Sequence, residues 1–312
     1  MNNTKPIIEV KNFVKKYGNF TAVNHIDFTV DEGTIFAFLG PNGAGKSTTI
    51  NTLVTIFDKT EGELFIDGMD VSKQKSAVRK AIGVVFQDTT LDKKMTIEEN
   101  LKMHCVFYKV PRHEVEERID FVLTLVDLLD VRRKTVAALS GGMKRRVEIA
   151  RGLIHYPKVL FLDEPTTGLD PQTRAHVWEY VTRLQKEKNI TIFLTTHYMD
   201  EAEICDKVAI IDHGKIIAHD TPFGLKKQYT KDRAYITTSN PPALEKLLVD
   251  KGISYIVKEK FHRIDVDDNA LLLNVLAECK NDITDIEIRK GTLNDVFLEI
   301  TGREIREGGE SQ

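Results

Sequence analysis

What this sequence lacks narrows the field before any motif is read. Its 312 residues include only three cysteines, Cys105, Cys205 and Cys279, far apart and without a C-x-x-C pair. A disulfide framework or a zinc cluster needs more thiols at closer spacing, so these read as reduced, buried side chains of a cytosolic protein. No apolar run approaches the roughly 20 residues that cross a bilayer; the longest, such as Ile35–Leu39 and Val159–Leu162, are strand-sized. Met1–Val10 carries Lys5 and Glu9 and no apolar stretch, so no secretory leader is expected. Neither sign of charge is in excess: 44 basic and 47 acidic residues leave a net −3, which gives no argument for nucleic acid or an anionic membrane surface. Internal repeats, low-complexity tracts and a Pro/Ser-rich linker are also missing. A task at a membrane would therefore need another chain to supply the membrane part.

What is present has globular proportions, 41% hydrophobic and 29% charged, in a chain too long for one compact core. The expectation is a large domain over 1–230, a small one over 231–305 and a flexible tail over 306–312. Ile7–Val10 and Ile26–Val30 are strand-like around a turn at Tyr17-Gly18-Asn19, and Asp31-Glu32-Gly33 reads as a hairpin-type turn. Thr34–Leu39 is apolar without alternation, the pattern of a strand covered on both faces. Further strands are expected at Glu63–Ile66, Ile82–Phe86, Val159–Leu162, Ile190–Thr195 and Val208–Ile211, with a helix over Pro171–Lys188. Between 89 and 156 the period becomes helical, for instance at Glu98–Tyr108 and His113–Leu129, which marks a helical insertion into an α/β core. Strand–helix alternation of this kind builds a mostly parallel sheet, here with an antiparallel β region before it. From Ala234 to Ile288 the order β-α-β-β-α-β is the ferredoxin-like pattern of a small α+β domain, followed by a helix at Leu293–Ile300.

Gly40-Pro41-Asn42-Gly43-Ala44-Gly45-Lys46-Ser47-Thr48 fits G-x-x-x-x-G-K-[ST], between an apolar strand and a helix, the setting a phosphate loop requires. Its glycines let backbone N–H groups turn toward a β-phosphate, and the helix N-terminus adds unpaired donors and a favourable dipole. Lys46 is positioned to reach the β- and γ-oxygens, and the Ser47 hydroxyl to ligate Mg²⁺. Val159–Leu162 runs into Asp163 and Glu164. Asp163 is a candidate for holding Mg²⁺, and Glu164 for polarising the attacking water. Alone, that strand would be an ordinary one ending in solvated acids; beside a phosphate loop it is a catalytic candidate. The basic runs Arg132-Arg133-Lys134 and Lys144-Arg145-Arg146 read as solvated helix faces.

Leu139-Ser140-Gly141-Gly142-Met143 resembles the signature that separates ABC ATPases from other P-loop enzymes, with Met143 where many members have Gln. Other positions of that family fall in order. Tyr17 resembles the aromatic that stacks on adenine, Gln87 the Q-loop glutamine, Gly168-Leu169-Asp170 the D-loop and His197 the switch histidine. The stretches Leu139–Arg151, Leu162–Arg174 and Gly291–Gly302 resemble the daunorubicin-type drug-resistance ATPases, whose partners are ABC-2 type permeases. The resemblance covers about 7–225 in the ATPase part. It implies an ATP-hydrolysing subunit of an exporter, at the cytoplasmic face of the membrane, using ATP and Mg²⁺. Glu164, His197, Lys46 and Gln87 would serve catalysis, and Ser47, Gln87 and Asp163 the metal. It also implies a homodimer in which Ser140, Gly141 and Gly142 of one chain close over the nucleotide of the other. Two other classes stay open at this point. One is an ABC ATPase acting on nucleic acid or ribosomes, although this chain has a single cassette and no sustained heptads. The other gives the C-terminal module a ligand-sensing role, which a fold pattern alone does not establish.

Overall fold

The computed structural model of the chain describes residues 6–266 and 269–302; the tail expected at 306–312 lies outside them. The chain forms two compact units, one reaching Thr221 and one beginning at Pro222.

In the first unit, β1 (Pro6–Tyr17) and β2 (Phe20–Asp31) form an antiparallel hairpin around Gly18, whose φ of 56° the turn requires. The next strand, β3 (Ile35–Leu39), belongs to a different sheet, so Asp31-Glu32-Gly33 is a crossover and not the hairpin turn expected. Gly33 takes a φ of 72° there, which favours glycine, and a Cβ would also press on the Asn189 side chain at 2.3 Å. The phosphate loop and α1 (Lys46–Leu53) follow, then β4 (Glu61–Ile66), β5 (Met69–Asp70), α2 (Lys75–Ala81) and β6 (Ile82–Val85). Strands β4 and β5 join the hairpin in a four-stranded antiparallel sheet ordered β2-β1-β4-β5.

A helical block comes next: α3 (Ile97–Phe107), α4 (Val115–Leu125) and α5 (Gly141–Leu153). Thr96 and Glu99 form a capping box that fixes the start of α3. Helix α4 stops before the expected Leu129 because Asp127 turns left-handed, at φ 51°, although the apolar residues continue. Arg132 is engaged by Glu98 of α3 and by Glu116 and Asp120 of α4, at 2.9, 2.8 and 2.5 Å. The run Lys144-Arg145-Arg146 does not form the solvated face expected of it: Arg145 is buried.

The chain then returns through β7 (Val159–Asp163), α6 (Pro171–Lys188), β8 (Thr191–Thr196), α7 (Met199–Glu203), β9 (Lys207–Asp212) and β10 (Lys215–Asp220). The main sheet is ordered β10-β9-β3-β8-β7-β6 and is parallel except for the β9–β10 hairpin. Every residue of β3, β7 and β8 is buried, as a parallel sheet covered on both faces demands. Phe28 of the first sheet stacks on Phe36 of the second at 5.6 Å, and Phe38, Phe161 and Phe193 extend that aromatic core. Each such ring contributes about 1.5–3 kcal/mol by leaving water. The core thereby fixes the C-terminal ends of β3 and β7, where the loops of interest begin. All three cysteines are buried thiols.

In the second unit, α8 (Pro222–Tyr229) precedes β11 (Asp232–Thr238), α9 (Pro241–Asp250), β12 (Tyr255–Lys258), β13 (Phe261–Val266), α10 (Asn269–Glu278), β14 (Ile283–Arg289) and α11 (Leu293–Thr301). The sheet is antiparallel in the order β12-β13-β11-β14, the arrangement a β-α-β-β-α-β chain makes when its first and third strands lie at the centre. Its core joins Ala234, Ile236 and Ile264 of the sheet to Leu244, Leu248 and Val275 of the two crossover helices. Helix α8 lies before the expected boundary at 231 but packs on α11, and so belongs with this unit.

Candidate active site

The phosphate loop is shaped by what surrounds its glycines. A Cβ on Gly40 would fall 2.2 Å from the Ile211 carbonyl oxygen, and one on Gly45 2.7 Å from that of Ala22. Gly45 also needs its φ of 108°, and Gly43, at φ 80°, has open space around it. Gly45 is the N-cap of α1 and offers no side chain to the first turn, so the donors there keep no internal partner. Ala44 braces the loop, its N–H donating to Pro41 O at 3.2 Å and its carbonyl accepting from Gly214 N at 2.9 Å. Lys46 lies back across the loop: its Nζ donates to Gly40 O at 2.8 Å and Pro41 O at 3.1 Å, and sits 3.4 Å from Glu164 Oε1. Burial, opposed by the two carboxylates, lowers the Lys46 pKa.

The two acids at the end of β7 have different surroundings. Asp163 Oδ1 accepts the Thr195 hydroxyl at 2.5 Å, and burial raises its pKa. Glu164 lines the cleft at φ 45°, a left-handed conformation uncommon outside glycine. The His197 imidazole beside it, and after that the Lys46 ammonium, hold the Glu164 carboxyl down to about 2 against the cost of burial. His197 Nδ1 lies 3.4 Å from Glu164 Oε1 but makes no aligned hydrogen bond, so the contact is electrostatic.

These groups face one open cleft of about 940 Å³. Of the residues singled out in the sequence, Tyr17, Asn42, Gly43, Gly45, Lys46, Ser47, Thr48, Gln87, Glu164, Gly168 and His197 line it. Gly40 and Pro41 contribute carbonyls to Lys46, and Asp163 sits buried behind Glu164. Phe20, Thr167 and Tyr198 also line the cleft and carry no motif of their own. Phe20 sits across the hairpin turn from Tyr17, and only that pairing would have pointed to it. Tyr17 is 44% exposed, with Phe57 against its edge and Lys15 Nζ 4.8 Å over its face. Tyr198 lies 4.1 Å from the His197 ring and carries the Arg174 guanidinium 4.1 Å over its own ring.

Ser140, Gly141 and Gly142 are not part of this cleft. They begin α5, where Ser140 Oγ accepts from Met143 N at 3.2 Å and both Ser140 and Gly141 are exposed. Gly142 sits so close to α6 that a Cβ would lie 2.3 Å from the Thr173 side chain. The arrangement is therefore an anion cradle with an ammonium, a hydroxyl and two acids on one side, and a second set of helix-terminal donors elsewhere on the surface.

A family model described as ABC transporter matches residues 23–167. The chain is 36% identical over 307 residues to the daunorubicin resistance ATP-binding protein DrrA3 of Streptomyces coeruleorubidus, a match covering 96% of this chain and 97% of that one. It is 32% identical over 312 residues to the linearmycin resistance ATP-binding protein LnrL of Bacillus subtilis, covering 96% and 100%. Among solved structures it resembles cbiO1 from Clostridium perfringens, part of the ABC transporter complex cbiONQ, with a TM-score of 0.67 and 29% identity over 78% of this chain and 95% of that one. It also resembles the dimeric ATP-binding cassette MJ0796 in a post-hydrolysis state with ADP and phosphate, with a TM-score of 0.63 and 27% identity over 69% and 98%.

Proposed function

The chain belongs to the ABC transporter family, among its drug-resistance ATP-binding subunits, and from that premise we propose how its residues bind and hydrolyse ATP for transport. The observation that carries the proposal is the separation of two donor sets: a cradle open on one side, and the Ser140–Gly142 start of α5 exposed outside it. Two copies facing each other supply what each lacks. The triphosphate lies in the loop 40–48 of one chain, and Ser140, Gly141 and Gly142 of the other close over the γ-phosphate. Tyr17 offers its exposed ring to adenine.

Lys46 exchanges the carbonyls of Gly40 and Pro41 for phosphate oxygens. That exchange moves a positive charge away from Glu164, whose carboxylate becomes a better acceptor for the proton of the attacking water. His197, next to Glu164, and Lys46 face the charge that develops on the transferred phosphoryl group. Ser47, Gln87 and Asp163 suit Mg²⁺, because hydroxyl, carboxamide and carboxylate are all hard oxygen donors. When bound, the ion neutralises charge on the triphosphate. After hydrolysis the cross-chain donors lose their anion and the pair opens.

The transport partner is an ABC-2 type permease, and the chain works at the cytoplasmic face of the membrane, exporting a compound as the names of its resistance relatives suggest. No helix among the described residues is long and apolar enough to cross a membrane. A groove of about 970 Å³ between α2 and α3, with Met103, Phe107 and Tyr108 on one side and Arg79 on the other, suits a cytoplasmic segment of that permease. The unit reaching Thr221 then forms the ATPase, and the unit beginning at Pro222 an accessory domain.

Glu164→Gln tests the core of this reading. It is expected to lower turnover at least a hundredfold, to leave the dissociation constant for ATP within a few-fold, and to accumulate an ATP-dependent dimer on gel filtration. Hydrolysis at the wild-type rate would remove Glu164 from its role.

A further inference from the structure

Arg145 stands one turn past Gly142 on α5 and is only 6% exposed. Its ion partner is Glu148, at 3.2 Å on the same helix. One carboxylate cannot satisfy the five donors of a guanidinium, and three others reach main-chain carbonyls. Nε donates to Pro165 O at 2.6 Å, Nη1 to Phe86 O at 2.5 Å and Nη2 to Asp163 O at 3.1 Å. Two of these carbonyls flank Glu164, and the third immediately precedes Gln87.

That placement bears on the backbone of Glu164. A left-handed conformation at a residue with a side chain persists only where its neighbours over-determine it. On one side Glu164 N donates to both Thr195 O and Thr195 Oγ1, each at 3.1 Å. On the other, Arg145 holds the carbonyl before Glu164 and the carbonyl of the residue after it. The same helix also grips the segment following Gln87: Glu148 Oε1 accepts from Thr90 N at 2.8 Å, and Arg151 donates to the Thr90 hydroxyl. A charged, planar fork set among three convergent carbonyls fixes geometry in a way that a single hydrogen bond does not.

We propose that Arg145 is a positioning residue for hydrolysis: its guanidinium clamps the backbone on both sides of Glu164 and ties that carboxylate and Gln87 to the helix that begins at Ser140. The role rests on Glu164 handling the water, as proposed above. It acts on the placement of a reacting group and not on nucleotide binding, so its loss falls on kcat.

Two conservative variants separate this from a buried ion pair that merely holds the fold. Arg145→Lys keeps a cation beside Glu148 but cannot span the three carbonyls. In steady-state ATP hydrolysis by the full-length chain, it is expected to lower kcat about tenfold or more, since misplacement on the order of 1 Å can cost a hundredfold. Its KM for ATP stays within about twofold. Glu148→Gln breaks the ion pair but keeps an oxygen to accept from Thr90 N and leaves the guanidinium on its carbonyls, and is expected to keep kcat within about threefold. The proposal is overturned if Arg145→Lys turns over at the wild-type rate. It is equally overturned if folded Glu148→Gln loses kcat tenfold, a result that counts even where Arg145→Lys does not fold. Parallel losses of kcat, ATP affinity and melting temperature in both variants would also reject it. Glu164→Gln, measured alongside, keeps the two readings apart. A dead Glu164→Gln with a fully active Arg145→Lys removes Arg145 alone, whereas a fully active Glu164→Gln removes the water-handling role and the clamp with it.

Discussion

Two helices of this protein begin with glycines and exposed donors, and their starts are built in opposite ways. Helix α1 is capped by Gly45, which has no side chain to give, and the loop before it wraps back so that Lys46 and Glu164 share its space. Helix α5 is capped by its own Ser140 and starts at the surface, and among the described residues no ammonium hydrogen-bonds across its start in the way Lys46 does across the loop. Both offer unpaired N–H groups and a favourable dipole to an anion. The first is a site within one chain. The second is, in the proposed dimer, half of one, because a capped, exposed helix start binds an anion weakly unless something else holds that anion in place.

The contrast can be broken at either end. The largest effect is expected from Lys46→Ala, which removes the charge-assisted contacts of the first start. Such contacts are worth about 1.5–3 kcal/mol each, so ATP affinity measured by calorimetry should fall on the order of a hundredfold; a loss of less than fivefold would mean the loop binds without its ammonium. Ser140→Ala should lower turnover roughly ten- to a hundredfold, the cost of removing one oriented donor to a developing anion, while ATP affinity at dilutions that keep the chain monomeric stays within twofold. The same change removes an N-cap, so unfolding should come about 1 kcal/mol earlier. Affinity falling together with turnover in the monomer would assign the start of α5 to its own cleft and erase the distinction.

A smaller effect is expected from Tyr17→Ala. Base–aromatic stacking is worth about 1–3 kcal/mol, so ATP affinity should drop about tenfold with no change in melting, the ring being 44% exposed. An unchanged affinity would leave the ring with only its Phe57 and Lys15 contacts. The smallest effect concerns the α5 start itself. Gly142→Ala pushes a methyl into Thr173, whose hydroxyl is held by Asp170 at 2.6 Å, and should cost about 1 kcal/mol in denaturant unfolding. Gly141→Ala meets nothing nearer than Leu169 at 3.7 Å and should change stability by less than about 0.5 kcal/mol. Equal costs would mean that α5 does not lean on α6.

Much of the cradle was legible because its residues are consecutive: Gly40–Thr48 follow an apolar strand, and Asp163-Glu164 end another. The positions of the core strands β3, β6, β7, β8 and β9 followed from apolar runs, and the β-α-β-β-α-β order of the second unit from periodicity, whereas the order of strands across the main sheet and the edge strand β10 did not. What could not be read depended on contacts between distant segments. Phe20, Thr167 and Tyr198 reach the cleft through the hairpin and through the ends of β7 and β8, with no local pattern to mark them. The end of α4 depends on one left-handed residue, Asp127, inside an apolar run. Arg145 was hidden most completely. Between Lys144 and Arg146 it looks like part of a solvated basic face, and only the carbonyls of Phe86, Asp163 and Pro165 explain a buried guanidinium.

The posture of Lys46 has a further consequence. With its ammonium on Gly40 O and Pro41 O and against Glu164, the cradle holds a cation of its own making, so a phosphate gains Lys46 by ligand exchange. Until that swap occurs, Glu164, the acid proposed to take a proton from water, stays partnered to an internal counterion. The catalyst is thus kept quiet by default, and the key that releases it is the anion it is built to cleave.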